Sequence, residues 1–187
     1  MTYRESIEFV ESRKPISGLV TKFGGQPVWI GEPQWPLSKS TGKPMRFIGQ
    51  IAIDSTQFSP VTARMAYLFM TDGEEYVDGT WEPDGGENAV VLQPGQTTVK
   101  TQPLAQGPSL YRMVKKLFHK QLVPEPCEFS VALIPTEDPD FVGDAERTKW
   151  NEREWEDYAS TLDGNKIGGS PIFIQSTEFP GPGRWRL

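Results

Sequence analysis

The sequence has few of the residues that carry most enzyme chemistry. It holds one cysteine and one histidine in 187 residues. A lone Cys127 excludes both an internal disulfide and a CxxC metal site. It enters a strand segment flanked by Glu125 and Glu128, a setting that raises a thiol pKa and suits packing better than nucleophilic attack. The lone His119 falls beside Arg112, Lys115 and Lys116 on a basic face, and no partner or pocket of the kind a general base needs is visible around it. No run approaches the roughly 18 apolar residues of a membrane span. The first residues, MTYRESIEFVESRK, are charged throughout and lack the apolar core of a signal peptide, so a cytoplasmic protein is expected. Positive charge is also short, 19 Lys and Arg against 25 Asp and Glu for a net charge of -6. That balance disfavours nucleic acid as a partner, since phosphate contacts need a basic surface, and favours a basic protein.

Glycine and proline are plentiful, 18 and 17 residues, which marks a loop-rich chain of short elements. They are concentrated in a repeat. Residues 22–36, KFGGQPVWIGEPQWP, align without a gap on residues 166–180, KIGGSPIFIQSTEFP, with six of fifteen positions identical. Each Gly-Gly pair gives the backbone access to positive φ. The following proline restricts the residue before it to extended conformations, so a sharp turn into a strand at Val28–Ile30 and Ile172–Ile174 is expected. A phosphate cradle would also use such glycines, but neither copy has the GxxxxGK[ST] pattern. A matched pair of turns in a duplicated scaffold accounts for both.

Tyr3, Ile7 and Val10 have helical spacing and predict a short helix over 3–13, stopped by Pro15. Strands are predicted at Met45–Ile53, at Met65–Met70, buried on both faces, and at Glu128–Ile134. Ala89–Leu92 and Thr97–Thr101 flank QPGQ as a hairpin. Leu110, Met113, Val114, Leu117 and Phe118 mark a second helix. Trp155, Tyr158, Ala159 and Leu162 lie on one face of a third helix expected over 146–162. The expected fold is α+β, a mostly antiparallel sheet with a few short helices and an internal pseudo-two-fold duplication, in a single domain 1–187 whose two related halves the repeats mark.

One segment stands out for its charge. Residues 72–87, DGEEYVDGTWEPDGGE, hold seven carboxylates and no Lys or Arg. It reads as a solvated loop, as a calcium site using Asp78, Glu82 and Asp84 that lacks the EF-hand ligand order, or as an interface for a basic partner with aromatic anchors. The partner-binding candidates are Asp72, Glu74, Glu75, Tyr76, Asp78, Trp81, Glu82 and Asp84. Trp150, off the apolar stripe of its helix, joins them as a candidate exposed contact. No catalytic residue, metal site or cofactor is expected.

KFGGQP, the Trp35-Pro36 exit, GKPMRFIGQIAI, LFMTDGEE with the following Trp81, the strand at Ala89–Leu92 and KIGGSPIFIQ occur in an order that resembles the YwqG-like family, a bacterial domain of unknown function. The resemblance runs from about Ser17 to Gln175. It implies a compact, soluble, single-domain α+β fold and supplies no catalytic residues. Similar families are associated with polymorphic toxin systems, so it implies a non-enzymatic immunity protein that binds and neutralises a cognate bacterial toxin, with a nuclease effector as one candidate. The alternative is a small-molecule binding or sensing domain, its ligand in a cleft between the halves flanked by Gly25, Gly169, Trp29 and Phe173.

Overall fold

A computed structural model describes residues 1–53, 62–72, 78–80, 82, 85–116 and 121–173. The strands in chain order are β1 (Thr2–Glu11), β2 (Lys22–Gly24), β3 (Trp35–Pro36), β4 (Arg46–Ala52), β5 (Met65–Met70), β6 (Asn88–Gln93), β7 (Thr101–Gln102), β8 (Tyr111–Val114), β9 (Val123–Pro126), β10 (Glu128–Asp138) and β11 (Lys166–Gly168). Two α-helices, α1 (Asp144–Arg147) and α2 (Glu152–Leu162), precede β11, and a 3-10 turn covers Asp78–Thr80. With 40% strand against 11% helix, the fold is closer to all-β than to the α+β expected.

Two of the expected helices are strands, which accounts for most of that correction. Most of the expected helix 3–13 is instead β1, in which Phe9, outside the supposed helical stripe, packs edge-to-face on Phe23 at 5.2 Å and on Phe129 at 6.3 Å. At the other end β1 pairs with β11, Glu5 opposite Ile167. Residues 111–114 form β8 against β9, with Arg112 opposite Glu125 and the two side chains 3.2 Å apart. A cross-strand ion pair rewards the strand, and Tyr111-Arg112-Met113-Val114 fits a period of two as well as a helical stripe. Leu117, Phe118 and His119 lie outside the described residues. The third expected helix, 146–162, is broken: residues 148–151 are not helical, and α2 begins only at Glu152, on a capping box between Asn151 and Glu154.

The chain divides into two compact units, Phe9–Val131 and Met1–Glu8 with Ala132–Leu187. In the larger unit the strands run in the order β1, β10, β2, β4, β5, β6, and in the smaller β11, β1, β10. The core of the larger unit gathers Trp35, Met45, Phe47, Met65, Tyr67, Phe69, Ala89 and Val91, with Trp29, Ile30, Ala52, Val99 and Leu104 packed on it. β5, expected to be buried on both faces, lies between β4 and β6 with Met65, Ala66, Tyr67 and Phe69 buried, but Leu68 is only half-buried and Met70 is exposed. β6 pairs back on β5, while the expected hairpin partner around Thr97–Thr101 contributes only β7, which pairs with β3.

Val28–Ile30 is not a strand. Buried side chains take the place of a ladder there. Gln50 Oε1 accepts from Val28 N–H at 2.8 Å, Tyr67 Oη donates to Val28 C=O at 2.8 Å, and Gln93 Oε1 accepts from Ile30 and Gly31 N–H. Four backbone groups of this stretch, the Val28 N–H and C=O and the Ile30 and Gly31 N–H, are thus paired with side chains rather than with a neighbouring strand. In the first copy the strand lies earlier instead, at Lys22–Gly24; in the second a strand covers Lys166–Gly168, and Ile174 of the expected Ile172–Ile174 lies outside the described residues. No helix among the described residues is long and apolar enough to cross a membrane.

Candidate functional site

The acidic segment is the connection between β5 and β6. These strands pair without a shift of register from Met65 opposite Gln93 to Met70 opposite Asn88, so residues 71–87 leave and re-enter the sheet at neighbouring points. Thr71 N–H donates to Glu87 C=O at 2.7 Å and closes the base. A connection of this length inside a compact unit is uncommon and usually has a function of its own.

Two of its carboxylates are held within the fold. Glu87 is 3% exposed and accepts from Ser38 Oγ at 2.7 Å, Ser40 N–H at 2.7 Å and Thr71 Oγ1 at 2.5 Å. Burial alone pushes this carboxyl up, but the donors on Thr71, Ser38 and Ser40 together outweigh burial and hold it below the ordinary glutamate value. They also tie the 38–40 turn to the base of the segment, where Lys39 N–H donates to Gly86 C=O at 3.0 Å. Asp72, at the other end, is ion-paired with Arg46 of β4. The Arg46 guanidinium in turn lies 4.3 Å from the centre of the Tyr111 ring, a cation–π contact.

Asp78 begins the 3-10 turn, and Asn88 Nδ2 donates to Thr80 C=O at 2.6 Å. Glu82 is exposed. Glu74, Glu75, Tyr76, Trp81 and Asp84 lie outside the described residues. Trp150 belongs to the smaller unit, where it is half-buried with its ring edge-to-face on Tyr158 at 5.1 Å. Of the two aromatic residues named for a ligand cleft, Trp29 packs on Tyr67 at 4.5 Å, and Phe173 packs on Phe141 at 6.2 Å.

Residue-by-residue reading missed a pair of ion-paired lysines, Lys22 buried and Lys166 partly buried, although both open the repeat. In the larger unit Lys22, 1% exposed at its side chain, puts Nζ 2.6 Å from Glu128 Oε1 and 2.8 Å from Ile16 C=O. In the smaller unit Lys166 Nζ donates to Asp138 Oδ2 at 2.7 Å, Leu162 C=O at 2.8 Å and Ser170 C=O at 2.7 Å. The two carboxylates stand at the first and last residues of β10. Their positions explain the glycines. Gly25 and Gly169 have φ of 63° and 80°, and a Cβ on either would come within 2.3 Å of the Glu128 or Asp138 carboxylate. The anion beside each Gly-Gly turn is therefore a side chain of the protein itself. The identity of Lys22 and Lys166 was the signal available in the sequence. Their acidic partners, outside both copies, carried none.

Beside Gly25 an open cleft of about 420 Å³ is lined by Arg13, Lys14, Arg112, Cys127 and Glu128 among others. Arg112 bridges Glu11 and Glu125 at 2.8 and 3.2 Å, and its pKa is raised by hydrogen bonds to Glu125 and Glu11. Burial pushes the Cys127 thiol up, with Glu11 adding to the effect and Arg112 opposing it. The thiol is thereby kept protonated at neutral pH, the opposite of an activated nucleophile. Among the described residues, no group of His, Cys, Asp and Glu side chains is placed to hold a metal ion.

No curated protein matches the sequence. A family model matches residues 21–181, which covers both Lys-x-Gly-Gly turns, both acidic partners and the acidic segment between them. The chain belongs to the family described as a domain of unknown function, DUF1963.

Proposed function

We propose that this protein is a non-enzymatic binding protein of the YwqG-like kind, an immunity protein that acts in the bacterial cytoplasm by masking a basic toxin domain with its 72–87 segment. The observation that carries this reading is the mounting of the segment. A core hairpin supports it, and Asp72 and Glu87 tie its ends into the fold. Between them stand five more carboxylates with Tyr76 and Trp81. Fixed ends lower the ordering cost of binding, and a dense negative field accelerates encounter with a basic partner. A nuclease fits as the partner, because a cleft built for phosphate accepts carboxylates on similar terms.

Co-expression with a candidate toxin, sought first among the products of adjacent genes, tests the proposal. The wild-type chain restores growth and co-purifies with the toxin, while a variant with Glu74, Glu75 and Asp84 changed to Lys does neither. Growth arrest with both chains present and folded contradicts the reading.

The cleft beside Gly25 favours a second reading, a small-molecule sensor. In that case small anions that pair with Arg13 and Lys14 raise the melting temperature, and Arg13→Ala removes the shift. A melting temperature unmoved by such anions counts against it.

A further inference from the structure

The strand that carries the acidic segment back into the sheet is also the last strand of the larger unit. Gln93 C=O accepts from Arg64 N–H and Glu87 C=O from Thr71 N–H, so at both ends of β6 the odd-numbered residues direct their hydrogen bonds toward β5. By the two-residue alternation of an antiparallel ladder, Asn88, Val90 and Leu92 direct theirs away from it. Among the described residues no backbone group bonds those three from the outer side.

Natural edge strands are blunted by charge, proline, a bulge or a covering segment. Asn88–Gln93 reads NAVVLQ, with no charge and no proline, and it pairs with β5 without a bulge. Val90, at its middle, is 47% exposed.

We infer that β6 is a self-association edge, at which a second copy of this chain adds its own β6 antiparallel about a two-fold axis at Val90. The register follows from the outward groups. Val90 meets the partner's Val90, Asn88 meets the partner's Leu92, and Leu92 meets the partner's Asn88. Each pair exchanges two hydrogen bonds, which uses all the outward groups. Charge selects the same arrangement. The base of the acidic segment leads into β6, while residues 93–100, QPGQTTVK, carry a single charge, that of Lys100. Antiparallel pairing lays each acidic base beside the partner's uncharged turn. Parallel pairing would set two acidic segments side by side, and like charges so placed repel. An interface of one strand and its flanking side chains is small, of the size seen in weak, reversible association. This inference stands apart from the toxin-neutralising reading and needs no toxin to test.

Sedimentation equilibrium on the full chain, from about 1 to about 500 µM, should show a reversible rise from 21.0 kDa toward twice that mass. Val90→Lys and Val90→Glu each place like charges across the axis, and each alone should weaken the dimer tenfold or more. An equimolar mixture should restore it, because Lys then faces Glu. Val90→Pro removes an outward N–H without touching the β5 ladder and should also be monomeric. Circular dichroism and melting curves confirm that each variant is folded, and if the proline variant is not, the charge pair decides. A wild-type chain that stays at 21.0 kDa across the range overturns the inference. So does a mixture that fails to recover the dimer, or a folded proline variant that dimerises like the wild type.

Discussion

Replacing Lys22 with Met keeps the length of the stem and removes the ammonium, leaving the Glu128 carboxylate beside the Ile16 N–H at 3.2 Å without its cation. Lys22 is 1% and Glu128 11% exposed at their side chains, so water replaces little of what is lost. Breaking a buried pair from one side costs about 3–5 kcal/mol, because the remaining charge stays desolvated. In a chain of this size that corresponds to a fall in melting temperature of roughly 6–20 °C. Changing both partners, Lys22→Met with Glu128→Leu, removes the orphaned charge and should recover most of the loss. Urea denaturation of wild type, both single variants and the double variant closes the cycle and gives the coupling directly. A Lys22→Met protein within about 1 kcal/mol of wild type would mean that the pair behaves like an exposed one, and the argument from burial would fail.

Three further outcomes follow from the geometry. Gly25→Ala and Gly42→Ala both place a side chain at positive φ, which costs about 1–2 kcal/mol, but only at Gly25 does the new Cβ meet a carboxylate; denaturant titration should therefore rank Gly25→Ala as the more damaging. Glu87 has a lowered pKa in the folded state, so its stabilisation is fully present above the unfolded value of about 4.3 and is lost as pH falls through the folded value. Glu87→Gln should lower stability at neutral pH by about 1–3 kcal/mol and flatten the acid limb of the stability curve, whereas an unchanged limb would remove Glu87 from that role. The raised thiol of Cys127 should react slowly with iodoacetamide at pH 7 and faster as pH rises, and rapid labelling at pH 7 of the native protein would contradict the assigned environment.

The strands β4, β5 and β10 were legible because their apolar runs are short, rich in β-branched and aromatic residues and bounded by turn residues, and α2 because Trp155, Tyr158, Ala159 and Leu162 fall on one helical face. β1 and β8 were not. Three apolar residues in β1, and five in and around β8, happen to satisfy a helical spacing, and the facts that decide otherwise lie elsewhere in the chain: Phe23, Phe129 and β11 for β1, and Glu125 for β8. Val28–Ile30 has the composition of a strand, yet Gln50, Tyr67 and Gln93 hold its backbone, and no local pattern announces that three polar side chains on other strands will do so. The repeat was visible as identity at Lys22 and Lys166, but its meaning depends on Glu128 and Asp138, which a comparison of the two copies does not contain. The acidic segment was legible as charge. That Asp72 and Glu87 serve the fold depends on Arg46, Ser38, Ser40 and Thr71.

The most direct test of the account is the affinity of the purified chain for a basic toxin domain of the kind the proposed function implies, measured by calorimetry across a salt series. The account predicts a one-to-one complex whose affinity falls steeply with rising salt and is lost when Glu74, Glu75 and Asp84 are changed to Lys. A complex indifferent both to salt and to those three substitutions would place the interface elsewhere and contradict it.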